Sequence, residues 1–236
     1  MTTPRRSILV NVIVLAVIVV LLTAVVVRFA RDIRLAHSKT SCINNCRQIG
    51  LAMIQYAGDH DDAFPPLVDA DGNKAPAVNA RGEISQLPSR TAFAVLMKEG
   101  YLTTCKVFVC PTSEARWWGD SQVGRDFPSD YGNARLQDLI LPEKNCSYGW
   151  DPTKKHSADA ACAIVADNPP RDVSAANEGT PRNNSDNHGK EGQMVFYNSG
   201  HVTWGATPRP DSGSDPDIYT GGPGYEKSLT DAKIIR

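Results

Sequence analysis

The sequence predicts an α+β protein in which a long N-terminal helix packs on a small antiparallel β-sheet with long loops. Three features support this prediction: an uncharged apolar run near the N-terminus, a helical apolar stripe after it, and short β-rich segments in the C-terminal half. The chain has 236 residues, a net charge of −1, 18 glycines and 16 prolines. This composition fits one small domain and provides no basic surface for nucleic acid.

The first element is a predicted transmembrane anchor from Ile8 to Val27, a run without a charged residue. At about 1.5 Å per residue, a helix of this length spans about 30 Å, the hydrocarbon thickness of a bilayer. A cleaved signal peptide and a buried core helix are the alternatives. The run is longer than the apolar core of a signal peptide, and it continues into Arg28 and Arg31 without a small-residue cleavage site. A membrane anchor is therefore the favoured interpretation.

The orientation of the anchor is not set by charge, because arginines flank both of its ends. Cysteine usage is more informative. All six cysteines follow the anchor: Cys42, Cys46, Cys105, Cys110, Cys146 and Cys162. Disulfides persist outside the cytosol, and none of these spacings is the Cys-x2-Cys of a zinc knuckle. We expect residues 1–7 in the cytoplasm and the domain on the periplasmic or extracellular side of a bacterial cytoplasmic membrane.

Residues 28–60 continue the helical pattern beyond the anchor. One stripe recurs with alternating spacings of four and three: Cys42, Cys46, Ile49, Met53 and Tyr56. A helix with one such apolar face packs against a domain, here residues 61–236. Either the helix runs unbroken through this segment or a new helix begins near Ser38–Ser41, which offers capping hydroxyls.

Short elements are predicted within residues 61–236. A helix is expected over Thr91–Glu99, with Gly100 after its last turn, and a helical turn near Ala134–Ile140. Lys106–Cys110 is expected to be extended. The strand predictions are Ser147–Trp150, Cys162–Ala166 and a hairpin over Met194–Trp204 that turns at Asn198-Ser199-Gly200.

Several segments together resemble a known family. Thr40–Pro66, TSCINNCRQIGLAMIQYAGDHDDAFPP, resembles the segment that follows the anchor in bacterial type IV pilin-like proteins. Family landmarks also match FVCP at 108–111, SYGW at 147–150, ADNP at 166–169, NHGKEGQMVFYNSGHVTW at 187–204 and DIYT at 217–220. The last long segment resembles the family's C-terminal His-spacer-Asp-Gly hairpin. Such proteins resemble the pseudopilins of type II secretion.

The resemblance implies a pilin-like fold and a non-enzymatic role. The chain would be a membrane-anchored structural subunit that assembles laterally with other pilin-like subunits, or associates with a secretion or surface-filament apparatus. Three positions depart from the family. Ser7 stands where a prepilin-peptidase site has Gly, Val12 stands where the mature helix has Glu, and Ser199 stands where the hairpin has Asp. Processing of the N-terminus and filament formation therefore remain open at this stage.

The cysteines suggest two disulfide arrangements. Cys146 precedes one predicted strand and Cys162 begins another, so a cross-strand bond is one possibility. Cys42 and Cys46 share a helix face that could meet the loop carrying Cys105 and Cys110. A bond there would join the helix to the domain and stabilise it by about 3–4 kcal/mol. Buried thiols are the alternative, and the connectivity is open.

Metal binding is a weaker expectation. Asp211, Asp215 and Asp217 lie in one Gly- and Pro-rich loop, and the resemblance to major pseudopilins makes them calcium candidates; solvated turn formers are the alternative. No other cofactor is expected. His188 and His201 could approach across the final hairpin, but a metal would need a third ligand such as Asp167 or Asp186.

Two other functions compete with a structural role. The Trp117-Trp118 pair and the long loops would suit a membrane-tethered periplasmic module that binds a polysaccharide or an envelope protein. Exposed tryptophans favour that function, whereas buried ones favour a structural subunit. An enzyme is the least favoured, because no Ser/His/Asp set is marked by a nucleophile-elbow motif.

Overall fold

The computed structural model describes residues 4–79, 85–113, 127–209, 215–221 and 231–235. It confirms the α+β class: one long N-terminal helix, short helices and two small antiparallel sheets. The chain divides into two compact units, Met1–Thr40 and Ser41–Arg236. Helix α1, Pro4–Asp59, contributes residues to both units, and each unit is described separately below.

In the first unit, α1 contains a segment that is long and apolar enough to cross a membrane. This segment is Val10–Ala30, 21 residues, and none of it is buried. The predicted anchor, Ile8 to Val27, overlaps it over most of its length. Thr23 Oγ1 donates a hydrogen bond to the Val19 carbonyl at 2.6 Å, which satisfies a polar group within the apolar stretch.

In the second unit, α1 packs its predicted stripe into the core. Cys42, Cys46, Ile49, Met53 and Tyr56 are all at most 4% exposed. The helix is continuous through 38–41, so a new helix does not begin there. The periodicity of the sequence identified this face correctly because burying one stripe is the main driving force for packing a surface helix.

The strands within the described residues form two sheets. A two-stranded sheet contains β1 (Leu67–Val68) and β2 (Lys74–Ala75). A four-stranded antiparallel sheet has the order β3 (Tyr148–Trp150), β4 (Ala163–Asp167), β5 (Gln193–Tyr197) and β6 (Val202–Gly205). The β3–β4 and β5–β6 segments agree with the predicted strands to within about one residue, and β5 and β6 pair as the predicted hairpin.

Two of the predicted segments between the sheets differ from the structure. Lys106–Cys110 was expected to be extended, but Cys105–Phe108 forms a 3₁₀ turn that Thr104 caps through its side chain. The helix expected over Thr91–Glu99 begins as a 3₁₀ turn, Ser89–Ala92, and becomes α2 at Phe93–Lys98. A further 3₁₀ turn, Leu136–Leu139, lies within the predicted helical turn. The Thr104 cap favours a turn over an extended segment at Cys105–Phe108, and the periodicity of apolar residues does not detect such a cap.

Helix α1 approaches the four-stranded sheet closely at Gly50. A Cβ atom placed at Gly50 would lie 2.3 Å from the Phe196 ring of β5. Phe196 is fully buried, so the ring has little room to move. Glycine in mid-helix costs up to about 1 kcal/mol in propensity, and here the cost is offset by the contact that it permits.

Gly50→Ala should therefore lower the free energy of unfolding of the Ser41–Arg236 unit by about 2 kcal/mol, because the added methyl overpacks against Phe196. Urea unfolding of the detergent-solubilised chain, followed by the fluorescence of buried Trp150, measures the change. Gly58→Ala is the matched control, because nothing lies within 4 Å of its added Cβ. A Gly50→Ala variant as stable as Gly58→Ala would contradict this packing.

Candidate functional site

A cluster of sulfur and imidazole groups lies where α1 meets the four-stranded sheet. A disulfide between Cys42 and Cys110 joins α1 to the segment after the Cys105–Phe108 turn, with the two Cα atoms 5.2 Å apart. His188 lies beside it, with Nε2 at 3.6 Å from Cys110 Sγ. All three residues are buried. We call these three residues the Cys42–Cys110–His188 cluster.

Local hydrogen bonds position Cys110 in this cluster. The Cys110 N–H donates to Ser147 Oγ at 3.0 Å, which ties its segment to the residue before β3. On the other side, Asn45 Nδ2 on α1 donates to the Val109 carbonyl at 3.0 Å. These bonds fix the backbone on both sides of the disulfide, so the helix and the segment meet with a defined register.

His188 is presented by a short capped turn. It is the last residue of the 3₁₀ turn Asp186–His188. The Ser185 hydroxyl caps this turn by accepting a hydrogen bond from the Asn187 N–H. Gly189 follows with φ of 62°, a left-handed conformation that glycine adopts without steric cost. The turn therefore directs the imidazole inward, where its ring meets the edge of Trp204 with centroids 5.0 Å apart.

Both nitrogens of His188 have partners. Nε2 lies 3.2 Å from Asp167 Oδ2, and Nδ1 lies 2.8 Å from Thr112 Oγ1. A carboxylate can only accept hydrogen bonds, so we assign the ring proton to Nε2 and the Thr112 hydroxyl as donor to Nδ1. The imidazole is thereby held in one orientation beside the disulfide.

Asp167, at the end of β4, is fully buried and is held by three donors. Besides His188, Asn187 Nδ2 donates to Oδ1 at 2.9 Å, and the Met194 N–H donates to Oδ2 at 2.8 Å. Its negative charge adds to the effect of burial on nearby groups. Burial first, and the Asp167 charge second, raise the pKa of the Cys46 thiol and of the Tyr148 phenol well above their usual values.

The sequence anticipated this cluster in part. The helix face carrying Cys42 does meet the segment carrying Cys110, and Asp167 does lie beside His188. His201 is not part of the cluster, because its ring stacks on Tyr197 at 4.6 Å and its Nδ1 contacts Ser199 Oγ. Thr112 was missed. Its position two residues after Cys110, directly after Pro111, was the only local signal that could have found it.

The other disulfide candidates, Cys46, Cys105, Cys146 and Cys162, are thiols in the structure. The cross-strand bond between Cys146 and Cys162, one of the two arrangements that the sequence suggests, does not form. In the β3–β4 register Tyr148 faces Asp167 and Trp150 faces Val165, so the two cysteines lie at opposite ends of the strand pair. That register separates them by about 20 Å at the rise of a strand, whereas a disulfide needs Cα atoms within about 7 Å. Their order in the sequence suggested proximity, but antiparallel pairing placed them apart.

The structure does not favour calcium at Asp217. Both carboxylate oxygens already accept two hydrogen bonds each: Oδ1 from the N–H groups of Tyr219 and Thr220, and Oδ2 from the Gly179 N–H and Asn183 Nδ2. These four donors fill about four lone-pair sites, so no position remains for a cation. Asp217 instead pins the loop that carries it.

Asp215 has a similar structural role. Its carboxylate accepts the Asp217 N–H at Oδ1 and the Ala232 N–H at Oδ2, which joins the loop to the C-terminal segment. Burial, more than the nearby negative charges, raises its pKa to about 6. Asp211, the third calcium candidate, lies outside the described residues, as do Trp117 and Trp118.

A second concave feature lies where α1 ends. An open groove of about 600 Å³ is lined by proline and charged side chains, including Asp59, His60, Pro65, Pro66, Lys154 and Lys155. The chain turns there through Asp61 and Asp62, whose φ values of 52° and 60° lie in the left-handed region. Such conformations cost about 1–3 kcal/mol each in non-glycine residues and often occur at functional sites.

No protein-family model, curated protein or solved structure matches this chain. Within the described residues, fold and site define an α+β protein with a candidate membrane-spanning segment and a disulfide that joins its long helix to the sheet domain.

Cys110→Ser should lower the free energy of unfolding of the Ser41–Arg236 unit by about 4 kcal/mol, because the disulfide closes a loop of 68 residues and restricts the unfolded chain. Urea unfolding without reductant measures the loss. Cys105→Ser is the control, since Cys105 is a thiol outside the core and its removal opens no loop. Equal stability of the two variants would show that Cys42 and Cys110 are not bonded.

Asp215 should make stability pH-dependent between about pH 4 and pH 6. Its folded pKa of about 6 exceeds the ordinary value of 3.8, so the folded state binds a proton that the unfolded state has lost. The contribution of Asp215 is therefore fully present below about pH 4 and is lost as the pH rises through 6.

The measurement is the difference in unfolding free energy between the wild type and Asp215→Asn across that range. This difference should shift in favour of the variant as the pH rises. A difference that stays constant from pH 4 to pH 7 would mean that Asp215 ionises as it does in water.

Proposed function

We propose that this protein is a pilin-like structural subunit, tethered to a bacterial cytoplasmic membrane by its N-terminal helix. Residues 1–7 would lie in the cytoplasm and the sheet domain on the periplasmic or extracellular side. The observation that carries the proposal is that the two parts of α1 differ in burial. Val10–Ala30 is apolar and exposed, whereas the stripe from Cys42 to Tyr56 is almost completely buried in the domain core.

The compartment follows from the cysteine chemistry. A bond between Cys42 and Cys110 forms and persists in an oxidising environment, which the bacterial cytosol does not provide. The bond joins the helix to its domain, so a mechanical load on the helix would reach the sheet through a covalent link. This property suits a subunit that transmits or resists force.

A structural role also fits the use of the buried polar groups. The Asp167 carboxylate, the His188 imidazole and the Asn187 amide are bonded to one another and to backbone groups of neighbouring segments. Such a network fixes the contacts between loops and strands, and this use of polar groups is typical of fold specificity. Catalysis would instead require groups directed toward a substrate cavity.

Lateral association would use the exposed apolar face of α1. Val12 stands where the resembled family has a glutamate. In a processed pilin that carboxylate is expected to pair with the amino terminus of a neighbouring subunit, and this segment cannot form that pair. Asn11, exposed within the helix, offers a hydrogen-bonding group for helix association, an interaction that contributes about 1 kcal/mol in a membrane. We therefore propose a retained anchor and association in the plane of the membrane.

A photoreactive residue at Val20, which is 66% exposed within the apolar segment, should form discrete cross-links to a second membrane protein in native membranes. Val173, an exposed valine in a loop of the domain, is the matched control position. Denaturing gels and mass spectrometry identify the adducts. Cross-links at Val20 to lipid alone, together with extraction as a monomer, would contradict lateral assembly.

The intact mass and N-terminal sequence of the extracted chain test retention of the anchor. A chain that begins at Met1 or Thr2 is expected, because Ser7 replaces the glycine of a prepilin-peptidase site. A chain that begins near Ile8 would show that the degenerate site is still cut.

The second candidate function is a membrane-tethered binding module, and the groove at the end of α1 favours it. Exposed charged side chains at Asp59 and Lys155 line this groove together with prolines. The chain turns beside it at Asp61 and Asp62, which both have positive φ. Lys155→Ala separates the two functions. The variant should leave the cross-links at Val20 unchanged for a structural subunit, whereas a binding module would lose the capture of its polysaccharide or envelope protein.

A further inference from the structure

We infer that the Cys42–Cys110–His188 cluster is a redox-dependent metal site, which holds a zinc-like divalent ion once its disulfide is reduced. The inference does not depend on a pilin-like role, since it concerns only side chains within the Ser41–Arg236 unit. Among the described residues, these three side chains place two sulfur atoms and one imidazole nitrogen within 4.8 Å of one another. Sulfur and imidazole are the ligands that Zn²⁺ prefers in proteins.

The distances fit a tetrahedral ion. With Zn–S of about 2.3 Å and Zn–N of about 2.0 Å, the edge between a sulfur and a nitrogen ligand measures about 3.5 Å. The distance from Cys110 Sγ to His188 Nε2 is 3.6 Å. After reduction, the two sulfur atoms need only move apart to about 3.8 Å, which side-chain rotation provides while the backbone stays in place.

Asp167 lies beside the fourth position. Its Oδ2 is 3.2 Å from His188 Nε2, although Asp167 is outside the group of ligand atoms that lie within 4.8 Å of one another. One water hydrogen-bonded to the carboxylate would complete the tetrahedron. The bonds from Asn187 and Met194 hold Asp167 in place, as supporting residues do in built metal sites.

The chemistry balances without burying additional charge. A dithiol reductant gives two electrons and two protons to the disulfide, becomes a disulfide itself, and leaves two thiols at Cys42 and Cys110. A divalent ion then displaces two protons, so the net charge of the buried cluster is unchanged. His188 shifts its ring proton from Nε2 to Nδ1, the Nδ1–H donates a hydrogen bond to Thr112 Oγ1 at 2.8 Å, and Nε2 becomes free to bind the ion.

The neighbouring thiols are poor competitors for the ion. Cys46, one helical turn from Cys42, donates to the Val165 carbonyl and is fully buried, which disfavours its thiolate. Cys105 lies at the N-terminal end of its 3₁₀ turn, outside the three-residue cluster. The ion would thus replace the disulfide as the cross-link between α1 and the segment after Phe108, so the helix stays joined to the domain in either redox state.

The test uses the full chain in detergent micelles, reduced without oxygen by a phosphine that becomes its oxide with oxygen from water. Titration with Co²⁺ should produce a thiolate-to-cobalt absorption band at one equivalent, and Zn²⁺ should abolish it. The oxidised chain should give no band.

Because loss of even an outer-shell partner costs about 10–100-fold in affinity, Cys42→Ser and Cys110→Ser should each weaken binding by at least about 100-fold. His188→Ala should weaken it by at least about 10-fold, and Cys105→Ser should leave it unchanged.

A second measurement needs no variant and therefore does not depend on the folding of a mutant. Iodoacetamide labelling of the reduced wild type, read by peptide mass spectrometry, should show that Zn²⁺ slows labelling of Cys42 and Cys110 but not of Cys105. Labelling of Cys42 and Cys110 at the same measurable rate with and without Zn²⁺ would overturn the inference. So would a cobalt band of equal strength in the Cys42→Ser and wild-type proteins.

Discussion

Burial of one face of helix α1 against the four-stranded sheet is the interaction on which the folded domain depends. Gly50 brings the helix backbone onto the Phe196 ring, and the Cys42–Cys110 bond holds the start of the buried face to the segment after the Cys105–Phe108 turn. These two contacts act differently. The first sets the distance between helix and sheet, whereas the second restricts the unfolded chain and so stabilises whichever packing the first permits.

A buried polar network complements this apolar packing. Asp167 at the end of β4 accepts hydrogen bonds from the Asn187 and His188 segment and from β5, and His188 reaches the disulfide. A buried carboxylate is costly unless its donors are in place, so the network penalises any arrangement in which these segments separate. The same demand for fixed geometry makes the cluster suitable for an ion after reduction. The structural role and the inferred metal site thus use the same side chains, with the two sulfur atoms farther apart in the metal-bound state.

Elements with strong local periodicity were predictable from the sequence. The stripe from Cys42 to Tyr56 and the hairpin of β5 and β6 are present at the predicted positions, because burial of one helix face and the turn at Gly200 are encoded within a few neighbouring residues. The prediction of an extended segment at Lys106–Cys110 was wrong because its apolar residues suggest a strand. A cap from Thr104 turns the chain instead, and residue type alone does not reveal that bond.

The sequence by itself determined the apolar segment of α1, the buried helix face and the α+β class, since each follows from the spacing of apolar residues along a short stretch. Only the tertiary structure decided which cysteines bond. It joined Cys42 to Cys110 across 68 residues and separated Cys146 from Cys162 through the β3–β4 register. It also decided that Asp217 pins a loop and that His188 meets the disulfide. Contacts between residues that are far apart in the sequence depend on how the strands and loops are arranged in the folded domain. The spacing of residues within a short stretch does not predict that arrangement.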